Sequence, residues 1–256
     1  MTNVMICGIL GRMGRQLVEC ASGSDTQIVC GFDVRECELD GIPVYSSFEG
    51  IKEKPDCIID FSNHVLIGGI LDFALSRSIA AVIATTGHTE SELELIRKTS
   101  ERIPVFRSGN MSLGINVLIS LAKSAAAVLG NDFDVEIVEM HHRHKLDAPS
   151  GTALMIADGI SEALPSTAEY VYDRTGVRKE RDKNEIGIHS VRGGSIVGEH
   201  EVIFAGRGET IRISHSAQSR ELFASGALAA AAYVKNKRAG LYSMKELLAD
   251  SAVGIK

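Results

Sequence analysis

The chain has 256 residues, which is enough for one large or two modest domains. Hydrophobic residues make up 45% and charged residues 23% of the sequence, and these proportions exclude a disordered chain, a collagen-like repeat and a coiled-coil rod. The formal net charge of −6 argues against a protein that binds nucleic acid over its whole surface, although a local basic patch for a small acidic substrate remains compatible with it.

The cysteines and the apolar stretches indicate the compartment. All five cysteines lie in the first quarter of the chain without a C-x-x-C pair, which excludes zinc-finger and thioredoxin-type sites. The apolar run Met1–Leu10 has no basic region before it, so we interpret it as a strand and not as a signal peptide. The uncharged stretch Leu222–Val234 is too short and too rich in small residues to span a bilayer. We therefore expect a cytoplasmic protein that does not bind membranes.

The first part of the chain alternates between short apolar runs and amphipathic segments. The apolar runs predict buried strands at Val4–Cys7, Gln27–Phe32, Asp56–Phe61, Ala80–Ala84 and Val105–Phe106. The segments between them predict helices at Arg15–Ala21, His64–Arg77 and Glu90–Arg102. Strands that alternate with helices indicate parallel βαβ units and hence an α/β fold with a Rossmann-like, doubly wound parallel sheet.

The pattern changes after residue 110. Helices are predicted at Ile115–Leu129 and at residues 152–164, on either side of a strand at Asp134–Met140. Short β-rich pieces then indicate a mixed or antiparallel sheet in a second, α+β domain, and they lie at Glu185–Val191, Ile196–Val197, Glu201–Phe204 and Thr210–Ser216. The chain becomes helical again from Arg220, with a last short helix at Tyr242–Ala249.

A glycine-rich loop follows the first predicted strand and has the sequence Gly8-Ile9-Leu10-Gly11-Arg12-Met13-Gly14. This spacing is a variant of the dinucleotide fingerprint, in which glycines permit a sharp turn, backbone contact with a pyrophosphate and close packing of the following helix. The N-terminus of that helix supplies N–H groups for phosphates, and Arg12 could add a charged hydrogen bond. An ordinary turn in a glycine-rich protein is the alternative, and a Walker A loop is excluded because no Gly-Lys-Ser/Thr follows.

Three further loops follow predicted strands. Asp33 ends the second strand, where an acid would bind the adenosine ribose hydroxyls. An acid repels a 2′-phosphate and so favours NADH, whereas Arg35 could accept NADPH or be a solvated loop arginine. Because ligands bind at the carboxyl ends of parallel strands, Ala84-Thr85-Thr86 and Ser108-Gly109-Asn110-Met111 are candidates for the nicotinamide end, with plain turn chemistry as the alternative.

Residues Glu139–Ala153, here called the histidine segment, have the sequence E-M-H-H-R-H-K-L-D-A-P-S-G-T-A. Imidazoles titrate near neutral pH and suit proton donation, and Lys145 could bind a carboxylate or donate a proton. Ser150-Gly151-Thr152 stands at the start of the next helix, where N–H groups and a hydroxyl make an anion site. A solvated basic loop is one alternative. A metal site is another, but Arg143 and Lys145 would repel a cation, so we expect no metal.

The histidine segment resembles the signature of the 4-hydroxy-tetrahydrodipicolinate reductase (dihydrodipicolinate reductase) family, E-x-H-H-x-x-K-x-D-A-P-S-G-T-A. The similarity continues through Gly8–Gly14, Thr85–Gly87, Gly109–Ser112 and Arg192–His200, and so covers nearly the whole chain. The resemblance implies reduction of a small cyclic dicarboxylate by NADH, NADPH or both, with loss of water, in diaminopimelate and lysine biosynthesis. It also implies a homotetramer.

The resemblance implies roles for individual residues. His141 matches the proton donor and Lys145 a second donor. The expected substrate-binding residues are His142, Lys145, Ser150, Gly151 and Thr152. The expected cofactor-binding residues are Gly8, Ile9, Leu10, Gly11, Arg12, Met13, Asp33, Ala84, Thr85, Thr86, Ser108, Gly109, Asn110 and Met111. Many family members have glycine where Ala84 stands, and the arginine that often follows the acid is displaced here to Arg35, behind Val34.

We thus expect a dinucleotide-binding domain at residues 1–110 and a substrate-binding and oligomerisation domain at residues 111–219. By the resemblance, a C-terminal helical segment at residues 220–256 returns to the first domain. A different NAD(P)-dependent reductase, such as an amino-acid dehydrogenase, has no reason to carry the histidine segment. A redox-sensing regulator would need a DNA-binding module, and a metal-dependent hydrolase would contain metal when purified.

Overall fold

A computed structural model describes residues 1–253. The chain divides into two compact units: the first contains Met1–Leu113 and the chain from Arg220 onward, and the second contains Gly114–Ser219.

The strands, in chain order, are β1 (Thr2–Cys7), β2 (Thr26–Phe32), β3 (Cys37–Leu39), β4 (Ile42–Tyr45), β5 (Cys57–Asp60), β6 (Ala80–Ile83), β7 (Pro104–Arg107), β8 (Asp134–His141), β9 (Glu169–Val171), β10 (Glu185–Arg192), β11 (Gly198–Ala205), β12 (Thr210–Ala217) and β13 (Gly240–Tyr242). The α-helices are α1 (Arg12–Ala21), α2 (Ile67–Arg77), α3 (Glu90–Ser100), α4 (Leu113–Leu129), α5 (Gly151–Ser161), α6 (Glu221–Val234) and α7 (Met244–Val253).

The first unit is built on a sheet in the order β13-β7-β6-β5-β1-β2-β4-β3. Neighbouring strands in it are parallel, except that β3 is antiparallel to β4. The chain passes from β1 to β2 on one side of β1 and later places β5 on the other side, so the strand order reverses at β1. In open α/β sheets, ligands bind at the carboxyl ends of the strands beside such a point.

The strands of the first unit are apolar because helices cover both faces of the sheet. Alternate residues of β1 enter different cores: Val4 and Ile6 pack in the cluster that contains α1 and α6 residues, and Met5 and Cys7 pack in the cluster that contains α2 and α3 residues. A strand buried on both faces reads as a continuous apolar run, which is the pattern that predicts β1 from the sequence.

The second unit contains a sheet in the order β12-β11-β8-β10-β9. Strand β8 is parallel to β10 and antiparallel to β11, so the sheet is mixed. Residues of α4 and α5 pack against one face of it. Every second residue of β8 is buried, from Val135 and Ile137 to Glu139 and His141. Glu139 and His141 therefore lie on the same face of β8 as the apolar core residues that precede them.

The structure confirms the predicted fold class and corrects several elements. Ile196 and Val197 do not form a strand, because β11 begins only at Gly198. Tyr242 lies in β13 and not in the last helix, which begins at Met244. The short strands β3, β4, β9 and β13 are not predicted by the apolar pattern. Each has only three or four residues, too few to show a periodicity.

One helical stretch, Leu113–Asp132, is long and apolar enough to cross a membrane by length and composition alone, with a mean hydropathy of 1.7. One face of this stretch packs in the core of the second unit through Leu118, Ala122 and Ala126. The core helix of a globular unit satisfies the same criterion, so the stretch alone does not indicate a membrane span.

Candidate active site

The glycine loop makes a tight turn that leaves no space for a side chain at Gly8 or Gly14. Gly8 has a φ of +80°, and a Cβ on it would lie 2.6 Å from the carbonyl oxygen of Phe61. A Cβ on Gly14 would lie 2.3 Å from the carbonyl oxygen of Gly8. Gly11 precedes α1, so the first-turn N–H groups of that helix face the loop side. These glycines make the close backbone approach and the helix N-terminus that a pyrophosphate requires.

Asp33 lies at the end of β2 and is tied to the glycine loop. Its Oδ2 accepts a hydrogen bond from the Leu10 N–H at 2.8 Å, and its Oδ1 accepts one from the Val34 N–H at 2.8 Å. The sequence-predicted acid and loop are therefore brought together. The next two residues, Val34 and Arg35, are exposed. The structure also places Ile9 in the core, where its side chain is fully buried, so only its backbone faces the turn.

The two predicted polar loops follow neighbouring strands. Ala84-Thr85-Thr86 comes after β6, and Ser108–Met111 comes after β7, which pairs with β6. The Ser108 hydroxyl donates to the Asn110 carbonyl at 2.7 Å, and the Asn110 side-chain oxygen accepts from the Ser112 N–H at 2.8 Å. A Cβ on Gly226 of α6 would lie 1.8 Å from the carbonyl oxygen of Met111, so this helix supports the second loop at van der Waals contact.

Sequence reasoning missed a third loop at the same edge, Phe61–His64 after β5. Together with Ala84, Thr85 and Thr86 it lines a cavity of about 270 Å³. The signal that could have found it is Asp60, an acidic residue that ends an apolar run at the carboxyl end of a strand. The cavity, the glycine loop and Asp33 after β2 together fit a dinucleotide. The loops after β5 and β6 lie on the side of β1 opposite Asp33.

In the second unit, a fully buried carboxylate orients the predicted proton donor. Glu139 Oε2 lies 2.6 Å from His141 Nδ1, and the Arg192 guanidinium donates to both Glu139 oxygens at 2.7 and 2.8 Å. Glu139 Oε1 also accepts the Ser150 N–H at 3.1 Å. Burial alone would raise the pKa of Glu139, but hydrogen bonds from Arg192, Ser190 and His141 lower it to about 2. Glu139 is therefore a fixed negative charge.

The other ring nitrogen of His141 lies beside a glycine of β11. A Cβ on Gly198 would be 3.1 Å from His141 Nε2, so a glycine in β11 leaves room beside this atom. Burial lowers the pKa of His141, while the hydrogen bond that its Nδ1 donates to Glu139 opposes that shift. With Nδ1 held by the carboxylate, Nε2 is the atom left to exchange a proton with a ligand.

Ser150 links the histidine segment to the start of α5. Its hydroxyl oxygen accepts the Ala153 N–H at 3.1 Å and lies 3.0 Å from His200 Nε2. The His200 ring packs edge-on against the His141 ring, with centroids 5.2 Å apart. Burial lowers the pKa of His200 to about 4, with positive neighbours adding to the shift. The Ser150 hydroxyl therefore shares a hydrogen bond with an imidazole that is neutral near pH 7.

The remaining predicted residues lie along the segment between β8 and α5. His142 is half-buried, and Lys145 Nζ lies 2.9 Å from Asp147 Oδ1 at a side-chain exposure of 22%. The peptide bond Ala148–Pro149 is cis. A Cβ on Gly151 would meet no atom of the described residues within 4 Å, so space is open at the helix start. Imidazoles, an ammonium group and helix N–H groups thus line one stretch of the second unit, where they suit an anionic ligand.

Sequence reasoning did not assign Glu139, Arg192 or His200 to the site. A usable signal existed for the first, because Glu139 lies two residues before His141 and so shares its face of the strand. Arg192 and His200 come from other strands and are brought in by sheet pairing. Among residues 1–253, no group of three or more His, Cys, Asp or Glu side chains is arranged to hold a metal ion.

Comparison with known proteins identifies the family. Residues 2–111 match the model for the N-terminus of dihydrodipicolinate reductase, and residues 114–248 match the model for its C-terminus. The chain is 53% identical over 249 residues to the 4-hydroxy-tetrahydrodipicolinate reductase of Caldanaerobacter subterraneus, covering 97% of this chain and 98% of that one. It is 45% identical to the same enzyme of Clostridium tetani, over 97% of each chain.

A solved structure agrees with the sequence comparisons. The dihydrodipicolinate reductase of a Paenisporosarcina species, solved with dipicolinate bound, superposes with a TM-score of 0.80 at 28% identity. The match covers 95% of this chain and 97% of that one. The first unit is thus a dinucleotide-binding domain of a reductase, which supports an NAD(P)H cofactor. The chain belongs to the dihydrodipicolinate reductase family.

Proposed function

We propose that this chain catalyses the reduction of 4-hydroxy-tetrahydrodipicolinate to tetrahydrodipicolinate, a step of diaminopimelate and lysine biosynthesis. The observation that carries the proposal is the Glu139–His141 pair beside the Ser150-capped start of α5, in a chain of this family. In the reaction the substrate gains a hydride and a proton, and its hydroxyl leaves with a proton from a neighbouring ring carbon as water. The reduced nicotinamide, when bound, supplies the hydride.

The second unit offers cations and N–H groups for the two substrate carboxylates. We assign carboxylate binding to His142, Lys145, Ser150, Gly151 and Thr152. Lys145 contributes a charge, and the first turn of α5 contributes N–H groups and the positive end of the helix dipole. This local positive potential explains how a chain with a net charge of −6 binds a dianion.

His141 is the proposed proton donor, and Lys145 a second one. The Glu139 carboxylate accepts from Nδ1 and so favours the imidazolium form against the effect of burial, which leaves Nε2 as the proton-donating atom. As hydride adds to the ring, electron density rises on its carbon and nitrogen atoms, and a proton from Nε2 neutralises that charge. A dianionic substrate further favours the imidazolium by its charge.

The proposed cofactor residues are those of the loops after β1, β2, β6 and β7. The glycine loop and the N-terminus of α1 would hold the pyrophosphate, and Asp33 the adenosine ribose. Asp33 favours NADH because a carboxylate repels a 2′-phosphate. Arg35 is exposed two residues later and gives NADPH a cationic partner, so we propose that both are used.

We also propose the assembly and the compartment. The family resemblance supports a homotetramer, and the composition supports a cytoplasmic enzyme that acts on a small molecule and binds neither nucleic acid nor membranes.

The experiment that tests the function is oxidation of NADH followed at its absorbance band, with and without freshly generated 4-hydroxy-tetrahydrodipicolinate, and repeated with NADPH. We expect oxidation that depends on the substrate with at least one cofactor. Absence of substrate-dependent oxidation with both cofactors would refute the proposal. Metal analysis and added chelator serve as controls, since the proposed chemistry requires no metal.

A further inference from the structure

Asp60 is a fully buried acid that the catalytic scheme does not use. It is the last residue of β5, with 0% of its surface exposed. It pairs in register with Cys7 of β1 on one side and with Ile83 of β6 on the other. It therefore lies beside the point where the strand order reverses, directly under the loops that follow three strands.

The carboxylate of Asp60 organises the loop after its own strand. Oδ1 accepts the Ser62 N–H at 3.0 Å and the Ser62 hydroxyl at 2.5 Å. The same Ser62 N–H also donates to the Thr85 hydroxyl oxygen at 3.0 Å, and that hydroxyl donates to the Asp60 carbonyl at 3.4 Å. Ser62 and Thr85 line the 270 Å³ cavity. The Asp60 side chain holds Ser62 directly, and it reaches Thr85 through the Ser62 N–H.

The glycine loop touches the same segment. Gly8 is packed so closely on it that a Cβ would lie 3.1 Å from the Ser62 Cα. The Phe61 N–H donates to the Cys7 carbonyl at 3.1 Å, and the Ala84 N–H donates to the Asp60 carbonyl at 3.0 Å. The residues Asp60–Ser62 therefore connect the loops after β1, β5 and β6.

A purely structural carboxylate would be expected to use both of its oxygens. Oδ2 of Asp60 is buried and has no hydrogen-bond partner among residues 1–253. Burying an unpartnered carboxylate oxygen is costly, and burial raises the pKa of Asp60 accordingly. The hydrogen bonds of Oδ1 with Ser62 offset part of this cost and hold the loop beside the cavity.

We propose that Asp60 is a positioning residue for the nicotinamide half of the dinucleotide, acting through Ser62 and Thr85. The assignment to this half follows from the strand order. Asp33 and β2 lie on one side of β1 and take the adenosine ribose, whereas β5 and β6 lie on the other side and take the opposite end of a dinucleotide that crosses the reversal point. The inference rests on the proposed use of NAD(P)H.

The test measures binding without turnover. NADH and ADP-ribose, which lacks the nicotinamide, are each titrated calorimetrically into wild type and Asp60→Ala. We expect the variant to bind NADH about tenfold more weakly and ADP-ribose within about twofold of wild type, because only the nicotinamide loops lose their anchor. Asp60→Asn retains an acceptor oxygen and is expected to recover most of the NADH affinity.

The chain offers a matched control at the other end of the same strand. Asp56 precedes β5, is exposed, and accepts the Asn3 N–H at 2.8 Å. We expect Asp56→Ala to leave both affinities unchanged. If Asp60→Ala does not fold, Ser62→Ala is compared in the same way, with an expected loss of about threefold for NADH only.

The outcomes separate the two proposals. Equal losses for NADH and ADP-ribose, or unchanged NADH binding in a folded variant, would overturn the role of Asp60. A wild type that binds NADH but does not reduce the substrate would refute the proposed reaction and leave this comparison intact. A wild type that binds neither dinucleotide would refute the cofactor assignment on which the inference rests.

Discussion

Glu139 Oε2 and His141 Nδ1 lie 2.6 Å apart on the buried face of one strand. Strand geometry alone places residues i and i+2 on the same side, so the proposed proton donor and the carboxylate that orients it are encoded by a spacing of two residues. The bidentate Arg192 fixes the carboxylate from the neighbouring strand β10.

Glu139→Gln is expected to shift the pH dependence of the reaction. The Glu139 hydrogen bond and charge raise the pKa of His141 against the effect of burial, so their removal lowers that pKa further. A donor must be protonated, so kcat/KM falls as pH rises through the pKa of His141. In the variant this fall moves to lower pH.

The measurement is a profile of kcat/KM against pH. Glu136→Gln is the control, because Glu136 lies on the other face of β8 and pairs with His189 at 2.7 Å. We expect the profile of this control to match that of wild type. Superimposable profiles for Glu139→Gln and wild type would contradict the proposed coupling.

His141→Gln and Lys145→Ala are each expected to lower kcat about a hundredfold or more while NADH binding changes little. Both side chains belong to the proposed substrate site in the second unit, whereas the proposed dinucleotide loops belong to the first unit. Stopped assays of turnover, together with titration of NADH, check both statements. His189→Gln and Lys123→Ala are the matched controls. Near-normal turnover in both His141→Gln and Lys145→Ala would refute the assignment of these residues as proton donors.

Arg35→Ala is expected to raise the KM for NADPH several-fold and to leave the KM for NADH unchanged. In the proposed cofactor site, the exposed Arg35 would give the 2′-phosphate a cation, while Asp33 would bind the ribose of NADH. Steady-state kinetics with both cofactors measure the ratio of the KM for NADPH to the KM for NADH. An equal change for both cofactors would show that the arginine does not discriminate between them.

His200 is expected to make the protein sensitive to acid. Its pKa falls from an ordinary 6.5 to about 4 on burial, so the folded state resists protonation. The part of the folding free energy that depends on neutral His200 is fully present above pH 6.5. It is lost as pH falls toward 4, by up to about 3 kcal/mol. Denaturant unfolding at several pH values should show a steeper loss in wild type than in His200→Gln. Parallel curves would mean that His200 is not the responsible group.

Gly14→Ala is expected to destabilise the protein by about 2 to 3 kcal/mol, because its Cβ would meet backbone atoms of the glycine loop. Gly68→Ala is the matched control within another helix, α2, where a Cβ would meet no described atom within 4 Å. The control should be neutral or gain up to about 1 kcal/mol from better helix propensity. Chemical denaturation compares the two, and equal effects would contradict the packing argument.

The sequence predicts the features that depend on local pattern. The central parallel strands are continuous apolar runs because they are buried on both faces. The glycine loop is recognisable because its turn requires glycine at fixed positions. The contacts of Glu139 with Arg192 join residues far apart in the chain, and no local pattern encodes them. The same holds for Asp60, whose role emerges only when β5 is seen beside β1 and β6.

The first unit is assembled from both ends of the chain, and this affects the order in which it can fold during synthesis. Residues of α6, including Ala227 and Ala231, cover the same face of the sheet as Val4, Ile6 and Val82. On a ribosome these helix residues emerge only after the whole second unit has been made. Until then α1 alone among these helices covers that apolar face, and the remainder is a surface that chaperones bind. A chain that stops at residue 219 would keep that face exposed and aggregate.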